Sequence, residues 1–264
     1  MRSWLVTGLA LLALPGGARA DEGLWLPGQV PSLAPRLDVL GSRLAAASIA
    51  DLDRGPAAAV ARLGNCSASF VSRDGLLLTN YHCAYGSLKA RSTPERNLLA
   101  AGFLARSREE ELPALPHLRV RVTLAFDDVT ERVAAELRGL TGAARARRLE
   151  ALGEEIDQEC RRAPGERCEL SSLHGGAAYA RVRQRELRDL RLVYAPPEGL
   201  GRYGGETDNF AWPRETADWA LFRVYAADGA SPSPYRPARV LEIAREPLRA
   251  GDFVMVIGLS LIHI

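Results

Sequence analysis

Two cysteines that bracket a pair of apolar runs constrain this chain more than any other feature. The stretch from Asn65 to Gly86 reads NCSASFVSRDGLLLTNYHCAYG, and Arg73-Asp74-Gly75 divides its apolar runs. Two such runs on either side of an Asp-Gly pair predict an antiparallel hairpin. Cys66 opens the first run and Cys83 follows the second, so a bond between them would staple the hairpin. Closing a loop of that length is worth ~3 kcal/mol in the chain-entropy model. His82 stands directly before Cys83, and the bond would fix the backbone that carries its imidazole. A histidine held in this way suits general-base work, because imidazoles in general titrate near ~6.5 and act only when correctly oriented. The competing reading is a histidine packed at a strand end. His117, in a proline-bordered loop, and His174, beside Gly175-Gly176, lack such a setting and read as structural.

The opening residues bear on the compartment in which those cysteines would pair. MRSWLVTGLALLALPGGARA combines a basic start at Arg2, an apolar stretch from Trp4 to Leu14 and a small-residue end at Ala18-Arg19-Ala20. This pattern predicts a secretory signal peptide over residues 1–20, cleaved after Ala20, and so a periplasmic or secreted protein. No segment approaches ~20 apolar residues, and no membrane span is expected. In an oxidising compartment Cys66, Cys83, Cys160 and Cys168 are an even set able to pair. Cys160 and Cys168, flanking RRAPGER, are expected to close a second, structural loop. Zinc is the rival reading, but there is no C-x-x-C unit, and neither metal nor other cofactor is expected. Lys89 is the only lysine, yet the net charge is +2 and the arginines are scattered, so nucleic acid is not an expected partner.

With 264 residues, 47% of them hydrophobic, the chain can build one large domain or two small ones. The segment from Asp21 to Leu52 reads as an extended arm with a short helical pattern around Leu37 to Ala47. LRVRVTLAFDDV, Leu118 to Val129, alternates as a half-buried strand should. From Thr130 to about Glu159 the pattern turns helical, with Val133, Leu137, Leu140, Leu149, Leu152 and Ile156 on one apolar face. Strand-like sequence returns in LRLVYAPP, DWALFRVYAAD and GDFVMVIG, with the glycine-rich loop EGLGRYGGETDNFAWPRET among them. The composite is mainly β with a helical excursion at about 130–160.

A general base needs an orienting acid, and Asp218 has the setting for one. Its neighbours Ala217, Trp219, Ala220 and Leu221 imply a carboxylate withdrawn from water, which is costly unless that charge is paired. The alternative is an aspartate exposed at a strand start. With His82 before Asp218 and a nucleophile still to come, the chain order is that of a chymotrypsin-type triad.

These stretches, together with NLLAAGFLARSREEELP and GGETDNFAWPRETADWALFRVY, resemble the bacterial exported serine dipeptidyl-peptidases of the dipeptidyl-peptidase 7 and 11 type, from about Asp21 to Gly258. The resemblance implies a chymotrypsin-like double β-barrel, here the first barrel and part of the second. It implies release of dipeptides from free amino termini, with His82 as general base and Asp218 as its orienting carboxylate. It further implies that Asn209 and Phe210 receive the substrate's terminal ammonium. An amide oxygen beside an aromatic face is suited to that task, although Asn209 also reads as a turn cap. Two departures, Glu215 and Ala217, stand where relatives usually carry His and Gly. After GDFVMVIG the tail LSLIHI leaves the family pattern, and Ser231, Ser233 and Ser260 lack the setting of a nucleophile. The chain is therefore expected to be a truncated product, inactive as written, with residues from about 259 to 264 not native. Peptides are the expected partners, and a homodimer of the full-length form is a further expectation. A trypsin-like endopeptidase and a non-catalytic peptide-binding protein are the alternatives.

Overall fold

The hairpin divided by Arg73-Asp74-Gly75 forms, and the rest of the sheet is built outward from it. The computed structural model describes residues 25–161, 165–205, 212–226 and 232–258. The segment expected to be a signal peptide, Asn209, Phe210, Ser231 and Ser260 therefore lie outside the described residues. The strands are β1 (Val60–Leu63), β2 (Cys66–Phe70), β3 (Leu76–Thr79), β4 (Phe103–Leu104), β5 (Leu112–Pro113), β6 (Val120–Asp128), β7 (Glu166–Leu173), β8 (Ala178–Leu187), β9 (Asp189–Ala195), β10 (Ala220–Ala226) and β11 (Ser233–Pro234). They pair in the order β4-β9-β10-β3-β2-β1-β6-β8-β7, with β11 on β10 and β5 on β9. Every pairing is antiparallel, in agreement with the mainly β expectation.

The turn between β2 and β3 requires its glycine. Gly75 has φ +70°, and a Cβ there would lie 2.6 Å from the Val224 carbonyl oxygen. The close approach of β10 explains this. β3 is paired with β2 on one side and β10 on the other, through Leu78↔Leu221 and Thr79↔Ala220. The strand that follows Asp218 is thus laid beside the strand that precedes His82. Strand alternation places Phe70, Leu77, Leu192, Phe222 and Val224 at 0% exposure in the main core. Each large side chain so buried is worth roughly 1.5–3 kcal/mol.

A smaller second core lies under the helical excursion. The helices Thr130–Glu136 and Gly142–Cys160 interrupt the chain between β6 and β7. Val133, Leu137, Leu152 and Ile156 pack there with Cys168 and Tyr179, and Leu149 is partly buried against them. The Cys160–Cys168 disulfide ties the end of the long helix to β7, with Cα atoms 5.6 Å apart. None of the helices among the described residues is long and apolar enough to cross a membrane.

His82 and Cys83 follow β3 as expected, but they lie in the first turn of the helix Tyr81–Arg91, so the competing reading of a histidine packed at a strand end does not hold. The apolar run of β3 stops at Thr79, and Asn80 breaks the ladder in the N-cap position. One sequence expectation is corrected: GDFVMVIG forms no strand. Alternating apolar residues need a ladder partner, none of the described strands pairs with this segment, and Val254 and Val256 are exposed.

Candidate active site

Asn80 opens the helix Tyr81–Arg91 without capping it. Its backbone is extended, φ −78° and ψ 151°, as an N-cap should be, but its side chain makes no cap hydrogen bond. Instead Asn80 Nδ2 donates to both the carbonyl oxygen and Oδ2 of Asp218, each at 3.1 Å. Asp218 supplies the missing cap: its Oδ1 accepts the His82 backbone N–H at 3.1 Å. The free amide groups of a helix start, and the positive end of its dipole, favour a carboxylate at that place.

The same carboxylate faces the imidazole. His82 Nδ1 lies 2.9 Å from Asp218 Oδ2 and 3.2 Å from Oδ1. Ionised carboxylate oxygens only accept, so the Nδ1 proton is donated to Asp218 and the Nε2 lone pair is left for a second proton transfer. The Asp218 side chain is only 4% exposed, whereas that of His82 is 56% exposed. One partner is therefore fixed inside and the other is open to a substrate.

Arg214 completes the shell, with Nη2 at 2.7 Å from Asp218 Oδ2. Burial works to raise the Asp218 carboxyl, but the hydrogen bond from Arg214 and those from His82, with the charge of His82, outweigh it and hold the group below the ordinary aspartate value. The segment entering β10 is pinned separately. Ala217 N and Thr216 Oγ1 both donate to the Leu200 carbonyl, at 2.9 and 3.1 Å, and Trp219 stacks on Tyr194 at 4.5 Å.

The disulfide holds the other side of the imidazole's backbone. Cys66, the first residue of β2, is bonded to Cys83 with Cα atoms 6.3 Å apart. Cys66, His82 and Cys83 bring their donor atoms within 4.8 Å of one another. The two sulfurs are bonded to each other, however, and offer no thiolate to a metal. The structure thus brings together His82, Asp218, Cys66 and Cys83. Asn209 and Phe210 lie outside the described residues, and Cys160–Cys168 serves the second core. Asn80 and Arg214 were not singled out by sequence. An Asn immediately before the histidine, and an Arg four positions before the aspartate, were the signals available.

The chain is similar to known proteins over most of its length. The family described as Peptidase S46 matches residues 20–260. The chain belongs to that family. An Asp/Glu-specific dipeptidyl-peptidase of Shewanella putrefaciens is 40% identical over 265 residues, covering 98% of this chain and 36% of its own length. Dipeptidyl-peptidase 7 of Porphyromonas gingivalis is 32% identical over 270 residues, covering 98% of this chain and 38% of its own. This S46 chain thus spans little more than a third of these relatives. Among solved structures, Porphyromonas endodontalis DPP11 in complex with the dipeptide Arg-Asp superposes with a TM-score of 0.81 at 35% identity, over 88% of this chain and 36% of that one. The S46 fold is therefore shared, consistent with part of a double-barrel arrangement.

Proposed function

We propose that the protein carrying this chain is a serine-type dipeptidyl aminopeptidase that releases dipeptides from the free amino termini of peptides. The observation that carries the reading is the 2.9 Å contact between an exposed imidazole and a buried carboxylate, His82 Nδ1 to Asp218 Oδ2, in a member of the peptidase S46 family. In this mechanism His82 Nε2 takes the proton of a serine hydroxyl as that oxygen attacks the carbonyl of the second peptide bond. The same nitrogen then returns the proton to the leaving amine, and repeats both transfers with a water that hydrolyses the dipeptidyl ester, freeing the dipeptide and the serine. Asp218 keeps the ring in the required tautomer and stabilises the imidazolium formed in passing.

Asn209 and Phe210 are proposed to receive the terminal ammonium, the amide oxygen accepting its hydrogen bonds and the ring favouring its charge. They stand a few positions before Arg214 and Asp218 in the chain. Export through the segment ending at Ala20 is part of the same proposal, and the two disulfides suit the oxidising compartment it implies. The test uses the full-length protein with peptides bearing free or acetylated amino termini. Release of dipeptides from the free forms alone supports the reading. Equal cleavage of both forms would make it an endopeptidase, and binding without cleavage would make it a peptide-binding protein.

A further inference from the structure

A second cluster of chemistry lies at the turn that leads into Cys66. A cleft of about 330 Å³ is lined by Arg62, Gly64, Asn65, His117, Arg119, Arg121 and Glu169. Gly64 and Asn65 form the turn between β1 and β2, and the next residue is Cys66. Cys66 Sγ lies within 4.8 Å of a ring nitrogen of His82, so the cleft wall runs directly into the backbone beside the imidazole.

The charges around this cleft do not balance. Arg62 and Arg121 are direct cross-strand partners on β1 and β6. Like charges in that relation oppose one another. Glu169 offsets them in part, at 2.8 Å from Arg62 Nη2 and 4.0 Å from Arg121 Nη1. Behind the cleft the side chain of Glu186, 4% exposed, is approached by Arg119, Arg121, Arg167 and Arg188 at 3.9, 3.1, 3.6 and 3.0 Å. Guanidinium groups therefore outnumber the carboxylates that face them, in a chain whose overall charge is only +2. Arg119 is tethered by donating Nη1 to the carbonyl oxygens of Pro116 and Leu118, which holds it at the cleft.

We propose that this cleft binds carboxylate groups of the peptide segment that leaves after cleavage, and so favours substrates acidic beyond the cut bond. The proposal rests on the dipeptidyl-peptidase reading for its geometry. In that reading the departing segment passes the imidazole that protonates its amine, and the cleft adjoins that imidazole through Gly64, Asn65 and Cys66. Arginine forks match carboxylates in shape as well as in charge.

The experiment uses the full-length protein and peptides that share their first two residues and continue with Asp-Asp, Ala-Ala or Lys-Lys. The ratio of kcat/KM for the Asp-Asp and Lys-Lys peptides is expected to be roughly tenfold at low salt and to shrink as salt is added. Arg119→Gln should narrow that ratio and Arg119→Glu should invert it. Because the ratio is taken within each variant, a lowered folded fraction cancels. Calorimetry with an Asp-Asp peptide gives a second measure that needs no turnover, with binding expected to weaken in both variants. A ratio near one, or a ratio that Arg119 does not move, overturns the proposal. If no peptide is hydrolysed, the dipeptidyl-peptidase reading fails, and the calorimetric comparison alone decides whether the cleft takes carboxylates.

Discussion

Arg214 and Asp218 lie 2.7 Å apart, Nη2 to Oδ2, so the carboxylate that orients His82 is shared with a guanidinium. The Arg214 side chain is 35% exposed and that of Asp218 only 4%, so solvent can replace one partner but not the other. Arg214→Gln should leave the carboxylate short of a charged donor and lower turnover by roughly 10- to 100-fold, the order expected when a hydrogen bond to a charged group, about 1.5–3 kcal/mol, is lost. Removing the cation also lets burial raise the Asp218 pKa. Protonation would then intrude at higher pH, moving the acid limb of the kcat/KM profile upward. A pH-rate profile with an unmoved acid limb would show that Arg214 only braces the loop.

Asp218→Asn separates orientation from charge. The amide keeps the size of the side chain, and its oxygen can still accept the His82 backbone N–H that Asp218 Oδ1 accepts now. It cannot stabilise an imidazolium and presents the ring with the wrong tautomer. Turnover should fall by around ~10⁴ while the thermal transition stays within a few degrees. Steady-state kinetics beside a melting curve checks both halves, and near-normal turnover removes Asp218 from the mechanism.

Reduction of Cys66–Cys83 should act on stability and on the site together. The bond closes a 17-residue separation, for which the chain-entropy model gives about 3 kcal/mol. It also anchors the first helical turn, where His82 sits, to β2. Replacing both cysteines by alanine is expected to lower the denaturation midpoint in urea and to reduce kcat more than it raises KM, because the ring loses its fixed mount. An unchanged kcat in the folded double variant would mean that the helix positions His82 without help.

Asp157 supplies a pH signature away from the site. Burial works to raise its pKa, but Arg167, Arg161 and the Cys168 backbone N–H donate to it and bring it to about 2, against an ordinary 3.8. The folded value lies below the unfolded one. Its contribution is therefore complete above about pH 4 and is lost as the pH falls toward about 2. It amounts to at most about 2 kcal/mol, less for the exposure of Arg161. Asp157→Asn should lower stability at pH 7 and flatten its dependence between pH 4 and pH 2, as followed by urea unfolding.

The parts of this molecule legible in the sequence are those governed by local periodicity. β6 and β10 alternate, and the long helix repeats Leu149, Leu152 and Ile156 along one stripe. The helix carrying His82 was hidden because its buried face includes Ala84 and Ser87 beside Tyr81 and Leu88, too polar and too small to make an apolar stripe. The bonds from Asn80 to Asp218 join positions 138 apart, and no spacing rule encodes them. Asn80 even carries a cap signature while its side chain serves elsewhere. GDFVMVIG shows the converse, an apolar pattern that pairing did not complete.

The closest steric relation around the site gives the last prediction. A Cβ on Gly201 would lie 2.5 Å from Cγ of Tyr81 and 2.7 Å from both Cδ atoms, inside the ring's van der Waals envelope. Tyr81 is fully buried, so the ring cannot swing into solvent. Gly201→Ala must therefore move either Tyr81 or the short helix Glu198–Gly201. The first response displaces His82, the next residue. The second displaces the Leu200 carbonyl, which holds Thr216 and Ala217 just before Asp218. Both separate the imidazole from its carboxylate. The variant should lose roughly 1–3 kcal/mol of stability, the usual cost of overpacking, and should lose activity even at temperatures where it is fully folded. Gly199→Ala in the same helix is the control, since a Cβ there meets nothing within 4 Å. If both variants keep wild-type kcat, the packing of Tyr81 on Gly201 has no part in aligning His82 with Asp218.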